Sequence, residues 1–398
     1  MKFNKSILTV ALGLSLTGLS QAGTVYFTGS TAMRNSTYNA LITPGLVFTA
    51  APTFAGDGAG ALTGTTPNKD TYMNFSGTLV GGSGTTLVKC HWSGSEAGIL
   101  DICSNSVVQE QFMLDTASGD SSNNIISLTT PQNVDLAMAD NLQTYSRTKK
   151  PTLANGTKVG VITFAWVRNN GLWQGSNVSD VQIQQALGGA CPIAVFSGSN
   201  DLTSFVYVTG RDFSSGTRVN AFGDSGFGIL NSPNQVEVNS SGVMQDINSD
   251  GTYEGDFGYS SGGSVASALK VNTTSATDLT PNGPATGFSL IGYVGISDAG
   301  TASGSISATG PSNTGPGYCL SYNGVPFSVA GVVNGQYSFW GNEYVYQSPN
   351  AGTEAQKVYN NFKVIASGHD TIFDNVTAIN LDKMHCSRTG PTAIPTHN

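Results

Sequence analysis

Three times along this chain an apolar β-type run ends in a tight Gly/Ser/Thr loop that opens into a helix-compatible stretch, and this repeated grammar constrains the fold most. Val25-Tyr26-Phe27 leads through Thr28-Gly29-Ser30-Thr31 into Ala32 to Leu41. Leu87 to Trp92 leads through Ser93-Gly94-Ser95-Glu96 into Ala97 to Cys103. Phe205-Val206-Tyr207-Val208 leads through Gly210 to Thr217 into Arg218 to Phe222. Strand, loop and helix repeated in this way predict an α/β chain with ligand loops at the carboxyl ends of its strands.

The amides that open a helix are unpaired and partly positive, so each of these loops is a ready anion site. If the three converge, Ser30, Thr31, Ala32, Ser95, Ser215, Gly216 and Thr217 offer N–H and O–H donors to one tetrahedral oxyanion, and Arg211 offers a two-pronged guanidinium. Taken singly, each loop reads as an ordinary turn and cap. Asp140, at the end of the apolar run Val134 to Asp140, is either a cap for the next helix or turn or an acceptor inside that donor-rich pocket. A carboxylate can only accept a hydrogen bond, so there it would favour an anion that still carries a proton.

The chain, with 398 residues, exceeds what one hydrophobic core usually organises, which predicts two domains or one much elaborated one. Only 11% of residues are charged and 50 are glycine, a surface of neutral polar groups common in secreted proteins. Lys2 and Lys5, the apolar stretch Ile7 to Leu19 and the small residues of Ser20-Gln21-Ala22 read as a signal peptide over 1–22, cleaved near Ala22. Its removal deepens the formal charge of −8 by two, which argues against nucleic acid or anionic lipid as partner. No later apolar run is long enough to span a bilayer, so a soluble product, periplasmic or secreted, is expected. Five cysteines permit up to two disulfides with one thiol left over; Cys90 and Cys103 bracket a short Gly/Ser loop and are the first candidates to pair, while spacing leaves the rest open.

Residues 43–86, rich in Gly, Thr and Pro, read as hairpins or extended loop decorating the scaffold. The break at 146–158 before the strand Val159 to Val167 suits an interdomain crossover, and a second is expected near Leu290 to Gly295. These crossovers divide the chain into 23–148 with 296–398 as one lobe and 149–295 as the other. Gly300 to Gly317 reads as a surface loop, Val325 to Val333 and Tyr337 to Tyr346 as β-type runs, and Glu354 to Ala366 as the last helix.

The segments Gly29-Ser30-Thr31, Ser93 to Gly98, Val134 to Asp140, Arg211 to Thr217 and Ile291 to Val294 succeed one another in the order of the periplasmic phosphate-binding proteins that serve the high-affinity phosphate ABC transporter, and the chain resembles that family over most of its length. The resemblance implies a type 2 periplasmic binding fold, two α/β lobes with a mixed sheet each, joined by two crossovers and closing on one phosphate. It implies that Thr31, Ala32 and Ser95 donate from the first lobe, that Arg211, Ser215, Gly216 and Thr217 clamp from the second, and that Asp140 accepts the phosphate proton. The chain departs from the pattern at Phe213 and at Ala32-Met33-Arg34, and the stretches 43–86 and Ser95 to Asp140 are longer.

The function so implied is that of an exported, non-enzymatic solute-binding protein that captures inorganic phosphate between lobes for ABC-type uptake, with an ABC permease as partner, a monomeric state and no required cofactor. Two other classes use the same residues. One is a surface or extracellular protein that keeps the fold for interaction or for another oxyanion. The other is a hydrolase of phosphorylated compounds using a pocket serine, which has no nearby His or metal cluster to activate it. Asp246, Asn248, Asp250 and Glu254 copy the first half of a calcium loop around Gly251, or form an Asx-rich hairpin turn within 246–257. Gly223 to Gly226 resembles a protease nucleophile segment without its histidine partner, and the aromatics Tyr337, Phe339, Trp340, Tyr344 and Tyr346 read as strand packing.

Overall fold

The computed structural model describes residues 21–57, 70–104, 109–114, 127–154, 156–281, 283, 286–366 and 368–397. The signal-peptide reading of 1–22 falls almost entirely outside them. The described chain opens in β1 (Gln21–Gly29), which leads to α1 (Arg34–Ile42). β2 (Thr53–Gly56), β3 (Tyr72–Thr78) and β4 (Thr85–His91) come next, then α2 (Ser95–Cys103) and β5 (Leu136–Ala139). β6 (Thr157–Arg168) is the long strand of the molecule. β7 (Asn177–Val178), α3 (Asp180–Leu187), β8 (Cys191–Pro192) and α4 (Ile193–Ser197) precede β9 (Phe205–Thr209) and α5 (Gly216–Asp224). After them come α6 (Gly262–Ala268), β10 (Ser289–Gly295) and α7 (Ile296–Ser303). The short strands β11 (Ile306–Ser307), β12 (Gly310–Pro311), β13 (Tyr318–Cys319) and β14 (Ser321–Tyr322) lead to α8 (Val329–Val333), β15 (Trp340–Gln347) and α9 (Thr353–Ile365).

Among the described residues one mixed sheet runs in the order β2-β3-β4-β1-β5-β15-β6-β10-β9-β8. β1 is parallel to both β4 and β5, and β10 is parallel to β9. β6 joins the two parallel groups because it is long enough to serve both. Its Thr157–Thr163 part pairs antiparallel with β15, and its Phe164–Arg168 part pairs antiparallel with β10. Residues 159–168 are all buried, so this strand is packed on both faces. α7 packs on α6, β6 and β13, so the chain after 296 begins beside β10 rather than beside β1.

Alternation explains the layers. Val25 and Phe27 of β1, Val88 and Cys90 of β4, and Leu136 and Met138 of β5 belong to the large core, which α9 covers through Val358 and Phe362. Ala137 and Ala139 belong to a second, smaller core on the opposite face, where α2 lays Ile99 and Ile102. Cys90 and Cys103 are therefore separated by the sheet, and all five cysteines are free, which corrects the expected bridge. The closeness of two cysteines in sequence is overridden by the face each side chain takes.

Three further readings change. Residues 43–86 hold antiparallel hairpin strands as expected, but as part of the main sheet, since β3 pairs with β4 along its whole length and Phe48, Met73, Phe75 and Leu79 are fully buried; 58–69 lie outside the described residues. Gly300 to Ser303 are helical, the last turn of α7. Val329–Val333 is a helix rather than a strand because the Ser328 hydroxyl caps it by accepting from the Gly331 N–H (3.0 Å). The aromatics from Tyr337 to Tyr346 are buried strand packing as expected.

α2 docks on the sheet through Gly98, where an added Cβ would lie 2.9 Å from the Gly29 Cα and 3.1 Å from the Ala137 Cβ. Gly98→Val is expected to cost on the order of 2 kcal/mol or more as α2 is pushed off β1 and β5. A urea unfolding curve measures it, and an unchanged midpoint would contradict this docking.

Candidate functional site

The three loop-to-helix joints meet where the two parallel strand groups face each other. Loop one leaves β1 at Gly29, and the Ser30 N–H donates to the Met138 carbonyl at the end of β5 (2.9 Å). Loop two leaves β4, and the Glu96 N–H at the start of α2 donates to the Ser214 carbonyl of loop three (3.0 Å). Loop three leaves β9, and the Ser215 hydroxyl caps α5 by accepting from the Arg218 N–H (3.4 Å).

Asp140 is the common neighbour. It is fully buried at the end of β5, its N–H donates to the Ser95 hydroxyl (3.3 Å), and its carbonyl accepts from Asn220 Nδ2 of α5 (2.8 Å). A Cβ on Gly216 would fall 1.4 Å from Asp140 Oδ1 and 2.7 Å from the Ser95 Cβ, so only glycine lets the start of α5 close on this carboxylate. Asp140 Oδ1 has no hydrogen-bond partner among the described residues. Burial pushes the Asp140 carboxyl up to about 6, opposed by the Ser95 hydroxyl and the charge of Arg211 and assisted by Glu96.

Arg211 is held rigidly. Its Nε donates to the Tyr259 carbonyl (3.0 Å), its Nη2 to the Ser260 carbonyl (2.8 Å), and its backbone N–H to the Tyr293 hydroxyl (3.1 Å). Burial lowers its pKa, while the charges of Asp212, Asp298, Tyr293 and Asp140 raise it, so the cation is fixed by the fold and its field is aimed by it.

Thr31, Ala32, Arg211 and Thr217 line a cleft of about 490 Å3, together with the start of α7 at Ile296 to Asp298. Ser30, Ser95, Asp140, Ser215 and Gly216 are buried and do not line it; Asp140 instead borders a separate small cavity with Asn141, Asn220 and Arg388. Of the nine sequence-read residues four line the cleft; Ser30, Ser215 and Gly216 adjoin them in the chain, and Asp140 and Ser95 touch each other and approach Gly216. Three hydroxyls are engaged within the protein: Ser95 accepts from the Asp140 N–H, Ser215 caps α5, and Ser30 donates to Glu343 Oε2 (3.2 Å).

Other side chains at the cleft and around Asp140 escaped the sequence reading. Arg34 lines the cleft from the first turn of α1, with Nη1 donating to the Asp70 carbonyl (3.2 Å) and Nε without a partner among the described residues. Its place in Ala32-Met33-Arg34, where the chain departs from the family pattern, was the signal. Glu96 accepts from Asn141 Nδ2 (2.8 Å), the Ser146 hydroxyl (2.9 Å) and the Arg147 N–H (2.8 Å), fixing the turn after Asp140. Glu343 of β15 is fully buried beside Asp140 and was hidden among the aromatics of its strand.

Away from the site, Asp246 accepts from the Asp250 N–H (3.2 Å) and the Gly251 N–H (2.7 Å), while Glu254 lies near Asp278. Asn248 shares the same turn. Ser225, of the protease-like segment, donates its hydroxyl to the Ala221 carbonyl in the preceding helical turn (2.7 Å).

No protein-family model matches the chain, and no curated protein matches it in sequence. Solved structures similar to it include a chain from Clostridium perfringens assigned as a phosphate ABC transporter substrate-binding protein and solved with phosphate bound. It is 15% identical, with 90% of this chain and 99% of that chain covered and a TM-score of 0.41. An ABC-type phosphate transport receptor from Vibrio cholerae is 13% identical, covering 85% of this chain and 93% of that chain at a TM-score of 0.43. PstS from Borrelia burgdorferi is 13% identical, covering 88% and 95% at a TM-score of 0.39.

The raised Asp140 value has a sign. A carboxyl that binds its proton more tightly when folded makes stability fall as pH rises from the unfolded value near 4 through about 6, with the full cost present above that. Asp140→Asn is therefore expected to stabilise the anion-free protein near pH 8 by up to about 3 kcal/mol, and to gain little near pH 4. Chemical denaturation at the two pH values measures the difference; a variant less stable than wild type near pH 8 would contradict the assignment.

Proposed function

We propose that this chain is an exported solute-binding protein that captures inorganic phosphate in the cleft between the two strand groups, for delivery to an ABC-type permease. The observation that carries the reading is a buried carboxylate, Asp140, with one oxygen unpartnered among the described residues, beside three helix-opening loops and within the field of the fixed Arg211. Donor groups alone would accept any tetrahedral oxyanion. A carboxylate among them accepts the proton that phosphate retains at neutral pH and repels sulfate, which has none.

Facing sulfate, two uncompensated negative groups would meet in a dry pocket at a cost on the order of 3 to 5 kcal/mol. That is about 10² to 10³ in affinity or more. The order of motifs along the chain and the signal-like N-terminus support the same reading. Thr31, Ala32, Ser95, Gly216 and Thr217 would ring the anion, and Arg211 would supply the charge.

The test is calorimetric titration of protein that has been unfolded, stripped of bound anion and refolded. Saturable phosphate binding that survives excess sulfate is expected, and Asp140→Asn is expected to admit sulfate as a competitor. Discrimination should also fade as pH drops through about 6, where Asp140 takes up a proton. Absence of heat with either anion would sink the proposal, as would discrimination untouched by the substitution.

A further inference from the structure

β15 runs antiparallel to β5, and the paired run ends with Tyr344 opposite Ala139, so Glu343 and Asp140 are the next residues beyond that last pair. Facing positions on neighbouring strands bring side chains close enough to interact, and the charge of Asp140 acts on the Glu343 carboxyl. Glu343 Oε2 accepts from the Ser30 hydroxyl (3.2 Å), which itself accepts from the Met33 N–H (3.3 Å). Glu343 Oε1 has no hydrogen-bond partner among the described residues, and neither has Asp140 Oδ1. Two buried acids, each with one orphaned oxygen, therefore stand side by side.

The surroundings decide which acid keeps a proton. Asp140 feels Arg211 from loop three, Ser95 from α2 and the more distant Glu96. Glu343 meets Asp140 from β5 and the Ser30 hydroxyl from loop one; its partner on β6 is Gly160, which brings no side chain. Burial first, and then the charge of Asp140, hold the Glu343 carboxyl well above the usual carboxylate range. Two carboxylates this close do not both ionise, and the one without a cation is the one that stays neutral.

We infer that Glu343 is a neutral carboxylic acid that donates its proton to the unpartnered oxygen of Asp140, and is thereby a positioning residue that keeps Asp140 ionised and turned toward the anion. The bond satisfies both orphans, and a carboxylate retains lone pairs enough to accept from the ligand as well. The consequence for selectivity rests on the phosphate reading; the proton on Glu343 does not.

Two variants separate the cases. Glu343→Gln keeps an N–H donor at the same reach, and Glu343→Met keeps the length and removes the donor. Infrared difference spectra of the anion-free protein near pH 8 should show a buried protonated carboxyl band in wild type that both variants lack. Its absence from wild type would overturn the inference whatever the protein binds. In phosphate and sulfate titrations, Glu343→Gln should hold the wild-type preference within about three-fold, while Glu343→Met should lower it about ten-fold or more. In Glu343→Met the acid limb of the preference should also move to higher pH, because Asp140 without its donor protonates more readily, a shift that a purely space-filling role would not produce. A Glu343→Met protein with the wild-type preference and pH limb would contradict the positioning role. If Glu343→Met does not fold, the band lost or kept in Glu343→Gln still decides whether Glu343 holds the proton. Wild type that shows the band but binds neither anion would end the phosphate reading and leave the shared proton standing.

Discussion

The structure turns on one buried charge. Asp140 sits in a dry seam between two groups of parallel strands, and the surrounding chemistry is arranged so that a carboxylate can exist there. Ser95 offers its hydroxyl, Arg211 supplies the field, and Gly216 is the only residue type that allows α5 to close over the acid. Burying a charge in this way is costly unless it is compensated, and Asp140 keeps lone pairs with which it would accept from a bound, protonated anion.

The two strand groups are tied together by more than loop contacts. β6 is shared by both, and the C-terminal segment adds a second tie. Arg388 pairs with Asp224 of α5 (3.0 Å) and donates to the Ser338 carbonyl (2.6 Å), with its guanidinium over the Trp340 ring. Both members of the pair are nearly wholly buried, so removing one would leave the other uncompensated. Arg218 instead bonds Asp256 and the Arg211 carbonyl, partners on the β9 side. The Arg388 anchor holds α5, and with it Gly216 and Thr217, against β15 of the first strand group.

The α/β class was legible in the sequence, and so was the local chemistry of the candidate site. Helix-opening loops announce themselves locally, through Gly, Ser and Thr beside apolar runs, so Thr31, Ser95, Arg211 and Thr217 could be read without tertiary information. Asp140 alone could equally have been a cap, and the resemblance to the phosphate-binding family was what singled it out as an acceptor. Glu343 was not legible, since an acid inside an aromatic strand gives no local sign of what stands beside it; that depends on β15 pairing with β5 across some two hundred residues. The same non-locality defeated the Cys90–Cys103 pairing, decided by sheet face, and the reading of 43–86 as decoration, since its strands extend the edge of the main sheet. Val329–Val333 failed for a different reason, a serine cap that outweighs β-branched propensity.

The central claim, one phosphate enclosed with its own proton hydrogen-bonded to Asp140, is tested most directly by phosphorus NMR of phosphate bound to the stripped and refolded protein. The account predicts a separate bound resonance in slow exchange, with a shift that stays constant across the pH range where free phosphate titrates, because Asp140 holds the bound ion in one protonation state. A single line that tracks the free-phosphate titration at every protein concentration would contradict it.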